Sequence, residues 1–175
     1  MNFTTMLKLL FTLFAYITVL NAGSIRKVTF TSGNITQGKN ATGVSVKTNN
    51  GHQEIVWLEN QNNLKVHFSK IYEDTGLMKN ALVTNLCEKQ NKGSLENAIK
   101  RYVLNNLGKT SKCPIKKGTV KIIYPITYTF ETTKAERCGP FISTLHVMKN
   151  NQEDSNETPL LVRAMFRGTL TGNDC

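Results

Sequence analysis

Histidine, cysteine and acid are the scarce chemistry of this chain: among 175 residues there are three His, four Cys and 12 Asp+Glu. His52, His67 and His146 form no His-x-x-x-His pair, and there is no Gly-x-Ser-x-Gly elbow and no glycine-rich phosphate loop. The usual local signatures of catalysis are therefore missing. No Cys-x-x-Cys is present, which argues against a zinc module, and four cysteines in this length are too sparse for a tiny disulfide scaffold. Aromatics make up only 8%, with a single Trp, so the core falls to aliphatic packing. At 39% hydrophobic the chain is too apolar to be mainly disordered, and its length leaves little room for two independent cores.

What is present begins with an address. Up to Gly23 there is one charge, Lys8, followed by an apolar run from Leu9 to Leu20 and then Asn21-Ala22-Gly23-Ser24. That run is shorter than the roughly 17–25 residues of a membrane-crossing helix and ends in small residues, the pattern of a secretory signal peptide. Cleavage after Ala22 or Ser24 fits; residues 1–22 are taken as the signal and 23–175 as one domain. Losing Lys8 lowers the formal net charge from +10 to +9.

In an oxidising compartment, Cys87, Cys113, Cys138 and Cys175 read as two disulfides. Three pairings are open. Cys87–Cys113 with Cys138–Cys175 has a physical attraction, because the first would clasp the ends of one helical segment and the second would fasten the last residue. Sequons at Asn34, Asn40 and Asn156 fit a secreted glycoprotein.

Most of the mature chain alternates with the period of strands. Val120, Ile122, Tyr124, Ile126, Tyr128 and Phe130 share one face, and Pro125 marks this stretch as an edge strand or as one broken by a bulge into two. Leu64, Val66 and Phe68 alternate with Lys65, His67 and Ser69, as do Leu160, Val162, Ala164 and Phe166 with Arg163 and Arg167. Weaker candidates are Val28–Thr31, Val44–Lys47, Ile55–Leu58, Leu77–Leu86 and Phe141–Met148, with a turn at Asn49-Asn50-Gly51. One segment changes period. Ser94 is placed to cap a helix whose apolar positions are Leu95, Ala98, Ile99, Tyr102, Val103 and Leu107, with Gly108 at the left-handed C-cap. The expected fold is mainly β: an immunoglobulin-like antiparallel sandwich or cup with one amphipathic helix over about 94–108, its apolar stripe facing the core.

From Lys100 to Lys121 the chain carries Lys100, Arg101, Lys109, Lys112, Lys116, Lys117 and Lys121 without one Asp or Glu. Such a region attracts anionic surfaces, acidic lipid headgroups or sulfated glycans among them; its plain alternative is a solvated face. Nucleic acid fits least, because the aromatics lie on apolar strand faces and are not interleaved with the lysines. His67 and His146 sit on separate strands and could meet as a ribonuclease-like acid/base pair; solvated side chains are the simpler reading.

The segment Lys112-Cys113-Pro114-Ile115-Lys116-Lys117-Gly118-Thr119, after a Cys-flanked helix and before a strand ending near Tyr124-Pro125, resembles the ganglioside activator family. Leu64-Lys65-Val66-His67-Phe68, through Ile71-Tyr72 to Asn85-Leu86-Cys87, is similar to related insect secreted proteins that include chemosensory proteins of taste organs. Both belong to the lipid-recognition, ML-like group, and the likeness runs from about Leu58 to Leu170. The resemblance implies a β-cup holding acyl chains, without catalysis of its own, and it favours Cys87–Cys113; no cofactor or metal is expected. Two cysteines, Cys138 and Cys175, have no matching position in that pattern.

The expected function is thus secreted lipid binding or presentation, with transient contact to an anionic membrane or a receptor. Candidate cavity residues are Trp57, Phe68, Ile122, Tyr124, Tyr128, Phe130 and Phe166; Trp57 suits either a cavity mouth or the centre of the core. The alternative is a basic interaction protein with a packed core that binds an acidic receptor or sulfated glycan.

Overall fold

A computed structural model describes residues 5–12, 23–150, 159–173 and 175. Residues 5–12 are helical, and no helix among the described residues is long and apolar enough to cross a membrane. The expected cleavage point at Ala22 and the sequon at Asn156 lie outside the described residues.

Nine strands and one helix follow in the order β1 (Ser24–Gln37), β2 (Val44–Asn49), β3 (His52–Trp57), β4 (Leu64–Tyr72), β5 (Met78–Val83), α1 (Leu95–Tyr102), β6 (Gly118–Ile122), β7 (Ile126–Thr132), β8 (Gly139–Lys149) and β9 (Leu160–Gly172). They form a six-stranded sheet, β5-β4-β8-β9-β1-β7, and a three-stranded sheet, β2-β3-β6, antiparallel throughout. The mainly β, antiparallel cup expected from the alternation is present. Both edge strands of the large sheet, β5 and β7, touch α1. The sheet is therefore curled, and the helix closes the gap between its edges.

The stretch from Val120 to Phe130 keeps one inward face but serves both sheets. It divides at the cis peptide Tyr124-Pro125 into β6, an edge of the small sheet, and β7, an edge of the large one. Edge positions are where a residue without an N–H can be placed. β1 is far longer than the Val28–Thr31 expected. Its polar second half, Ser32 to Gln37, has no clear alternation of its own and is held by pairing with β9 beyond a register shift after Phe30. β5, conversely, is shorter than the Leu77–Leu86 expected.

The β2–β3 hairpin turns on Asn50 (φ 46°) and Gly51 (φ 78°), the Asn-Gly pair that a tight two-residue loop favours because both residues are left-handed. At the helix, the Ser94 hydroxyl accepts from the Asn97 N–H at 3.1 Å, the expected cap. Beyond Tyr102 the helix widens into a π-helix over Val103–Leu107, where the Gly108 N–H reaches the Val103 carbonyl at 2.9 Å. Gly108 is not the left-handed residue: its φ is −105°, and Lys109 takes φ 50°. The glycine is needed for close approach instead, since a Cβ there would lie 2.9 Å from both Ile115 Cγ1 and the Leu104 carbonyl oxygen.

Cys87–Cys113 and Cys138–Cys175 are both bonded, with Cα separations of 5.5 and 5.3 Å. The first brackets α1, and the second ties the final residue to the start of β8. Buried side chains of both sheets and the helix join in one core.

Candidate functional site

A cavity of about 50 Å³ lies between α1 and the inner face of the large sheet. The helix supplies Leu95, Ala98, Ile99 and Tyr102, the stripe that its spacing turns inward. Opposite stand Val28 and Phe30 of β1, Phe68 of β4, Tyr128 and Phe130 of β7, and residues of β8 and β9 that include Phe141 and Leu170. Phe30 meets Tyr102 edge-on at 5.3 Å and Phe141 at 5.8 Å, so helix and sheet share an aromatic wall. The Tyr128 hydroxyl donates to the Ala98 carbonyl at 3.0 Å, tying the helix to the β7 edge.

Besides the Tyr128 hydroxyl, two polar side chains interrupt this hydrocarbon lining. One is Tyr102, whose buried hydroxyl has no hydrogen-bond partner among the described residues. Burial raises its pKa, and the neighbouring Tyr124 adds to the rise; Tyr124 itself is pushed up to about 12 by burial. Both phenols are therefore neutral at neutral pH.

The other is Lys70, the only charged residue on the lining among the described residues and only 4% exposed. Its Nζ donates to Glu136 Oε2 at 2.8 Å, while Lys79 Nζ sits 3.1 Å from Glu136 Oε1. The Tyr72 hydroxyl lies 3.3 Å from the same Oε2 and donates to the Arg137 carbonyl at 2.6 Å. Burial lowers the Lys70 pKa by more than the Glu136 hydrogen bond and charge raise it. For Glu136, burial pushes the carboxyl up, yet the combined hydrogen bonds and charges of Lys70 and Lys79 hold it below its ordinary value.

Of the seven aromatic and aliphatic candidates, Phe68, Tyr128 and Phe130 line the cavity. The other four stand outside its lining. Trp57 is buried on the central strand of the small sheet and donates its indole N–H to the Leu107 carbonyl at 2.8 Å, which makes it a core anchor and not a mouth. Ile122 is buried on β6; Tyr124 packs on Phe166 at 6.4 Å. Phe166 is fully buried, 4.8 Å from Phe30 and 5.9 Å from Tyr102, and so backs the wall from behind.

Arg101, Lys109, Lys112, Lys116, Lys117 and Lys121 are exposed and Lys100 is half-buried, its ammonium donating to the Glu88 carbonyl. Lys109 and Lys121 flank one shallow groove with Pro125, Ile126 and Ile123, the last 65% exposed. Asn34 and Asn40 are exposed, as glycan attachment requires. His67 and His146 do meet: they are register partners on β4 and β8, on the outer face of the sheet and away from the cavity. Partial burial, Arg163 and His67 together lower the His146 pKa. Among the described residues no three potential metal ligands cluster.

No protein-family model matches this chain, and no curated protein matches its sequence. The two disulfides fit an oxidising compartment.

Proposed function

We propose that this is a secreted, non-catalytic protein that binds and presents a lipid or similarly apolar small molecule between α1 and the inner face of the large sheet. The observation that carries the reading is the hydrocarbon-lined cavity roofed by a single helix. The likeness of the Cys113-Pro114 segment and the upstream strand to the lipid-recognition group supports it, as do the signal-like leader and the two disulfides. Each methylene removed from water contributes roughly 0.8 kcal/mol, so a chain is held without many polar contacts.

At about 50 Å³ the cavity is well below the roughly 300–1,000 Å³ of common ligand sites, so uptake of a chain requires α1 and its side chains to move outward. The exposed lysines, with Ile123 beside Lys109 and Lys121, would meet an anionic membrane surface or receptor during transfer.

The test is native mass spectrometry of the mature chain from insect cells, before and after organic extraction. A removable mass of lipid size supports the reading. A clean apo mass, with no uptake of added fatty acids or phospholipids, overturns it. The same small volume favours a second reading, a packed basic protein for acidic receptors or sulfated glycans; salt-sensitive heparin binding lost in Lys116→Glu/Lys117→Glu would support that one.

A further inference from the structure

We infer that the ligand is a single-chain amphiphile with a carboxylate head, and that Lys70 binds this head while the chain lies beneath α1. The inference rests on the lipid-binding reading above and names its ligand class.

Lys70 belongs to the inward set of β4, between Phe68 and Tyr72, where a hydrocarbon side chain would fill the cup. An ammonium has three N–H donors. One goes to Glu136 at 2.8 Å, and among the described residues Nζ has no other oxygen acceptor. The ammonium otherwise faces the rings of Tyr72 and Phe141, at 5.1 and 5.8 Å, and Phe141 is itself on the cavity wall. Donor capacity thus remains beside the cavity.

The charge count points the same way. Two ammonium groups, Lys70 and Lys79, share the single carboxylate of Glu136. Lys79 is 31% exposed and so partly solvated, but it draws on the same carboxylate, and a second carboxylate would accept the unused Lys70 donors in charge-assisted hydrogen bonds. A fatty alcohol could accept a hydrogen bond from Lys70, but without a negative charge that bond is the weaker one. Starting from about 50 Å³, room for one chain requires a smaller outward movement of α1 than room for two.

The experiment compares dodecanoic acid with dodecanol by titration calorimetry on the full mature chain at neutral pH. Charge-assisted hydrogen bonds predict that wild type binds the acid about tenfold to a hundredfold tighter. Lys70→Met should remove that preference, so that acid and alcohol bind with similar affinity. Because Lys70→Met isolates a buried Glu136, the double variant Lys70→Met/Glu136→Gln is measured alongside and should likewise bind both compounds equally. Equal affinities in wild type, or an acid preference that persists in the double variant, would overturn the role of Lys70 while leaving lipid binding intact. Binding of neither compound to wild type would overturn this inference, and the lipid-binding reading falls with it when native mass spectra also show no uptake of phospholipid.

Discussion

Replacing Glu136 by Gln tests whether the buried cluster is held as a charged unit. Glu136 is 7% exposed and Lys70 4%, so neither group is solvated in compensation once its partner is gone. The substitution leaves two ammonium groups facing a neutral amide. Removing one partner of a buried pair costs roughly 3–5 kcal/mol; the lower end, about 3 kcal/mol, applies because the amide oxygen still accepts one hydrogen bond. Lys79, with its side chain 31% exposed, can also turn to water. In a domain of this size about 3 kcal/mol lowers Tm by roughly 6–12 °C. Lys70→Met/Glu136→Gln should recover most of that loss, because no fully buried ammonium is then left without a carboxylate.

The pH dependence has a definite sign. Glu136 has a folded pKa held below its ordinary value of 4.5, so its contribution is complete above that value and disappears as pH falls through the depressed folded value. Thermal melts followed by circular dichroism from neutral to acid pH should show this slope in wild type and a shallower one in Glu136→Gln, where Asp74 still contributes. A single variant within about 0.5 kcal/mol of wild type at neutral pH, or a double variant as damaged as the single, refutes the argument.

Other outcomes follow from individual contacts. Gly108→Ala places a methyl 2.9 Å from Ile115 Cγ1 and the Leu104 carbonyl, and chemical denaturation should show a loss of about 1–3 kcal/mol from overpacking. Removing the Cys87–Cys113 bond, which spans a separation of 26 residues, should cost about 3.5 kcal/mol in the chain-entropy account, measured as urea unfolding of the Cys87→Ser/Cys113→Ser variant. His146 should titrate below 6.5 by NMR, and Arg163→Gln should raise its midpoint by removing one of the charges that disfavour its protonation.

The pattern of the strands carried most of the architecture. Alternation places Val120, Ile122 and Phe130 inward even though a cis-proline corner sends them to different sheets. Helical spacing and the Ser94 cap locate α1, whose stripe becomes one wall of the cavity. What local pattern does not reveal is long-range partnership. Extending the β4 alternation by one step would have placed Lys70 inward, but a lysine at that position looks like the end of an apolar face. Its partner Glu136 lies 66 residues away in a loop with no period at all. Trp57 fits a mouth or a core equally well until the Leu107 carbonyl is brought to it. The left-handed residue moves from Gly108 to Lys109 where the helix ends as a π-helix, a wider turn that takes more residues than the α-helical spacing assumes.

The helix is fastened unevenly, and the cavity lies under its looser half. At the far end, Trp57 holds the Leu107 carbonyl, Val103 and Leu107 are fully buried, and Gly108 sits tight against Ile115. Over the cavity, the hydrogen bond from α1 to the sheet is the one from the Tyr128 hydroxyl to the Ala98 carbonyl; the rest is apolar contact. Hydrocarbon contacts are non-directional, so under the proposed function an acyl chain would replace those made by Leu95, Ala98 and Ile99 with others of similar worth. An outward movement of α1 breaks no strand ladder, because the helix spans the gap between β5 and β7 without hydrogen-bonding into either sheet's backbone. The Cys87–Cys113 bond joins the segment before the helix to the loop after it, which bounds how far the cover can travel. Under the proposed function, a sheet that left its edges apart and a helix held over the cavity mainly by apolar contact would give an expandable apolar site while most of the core stays packed.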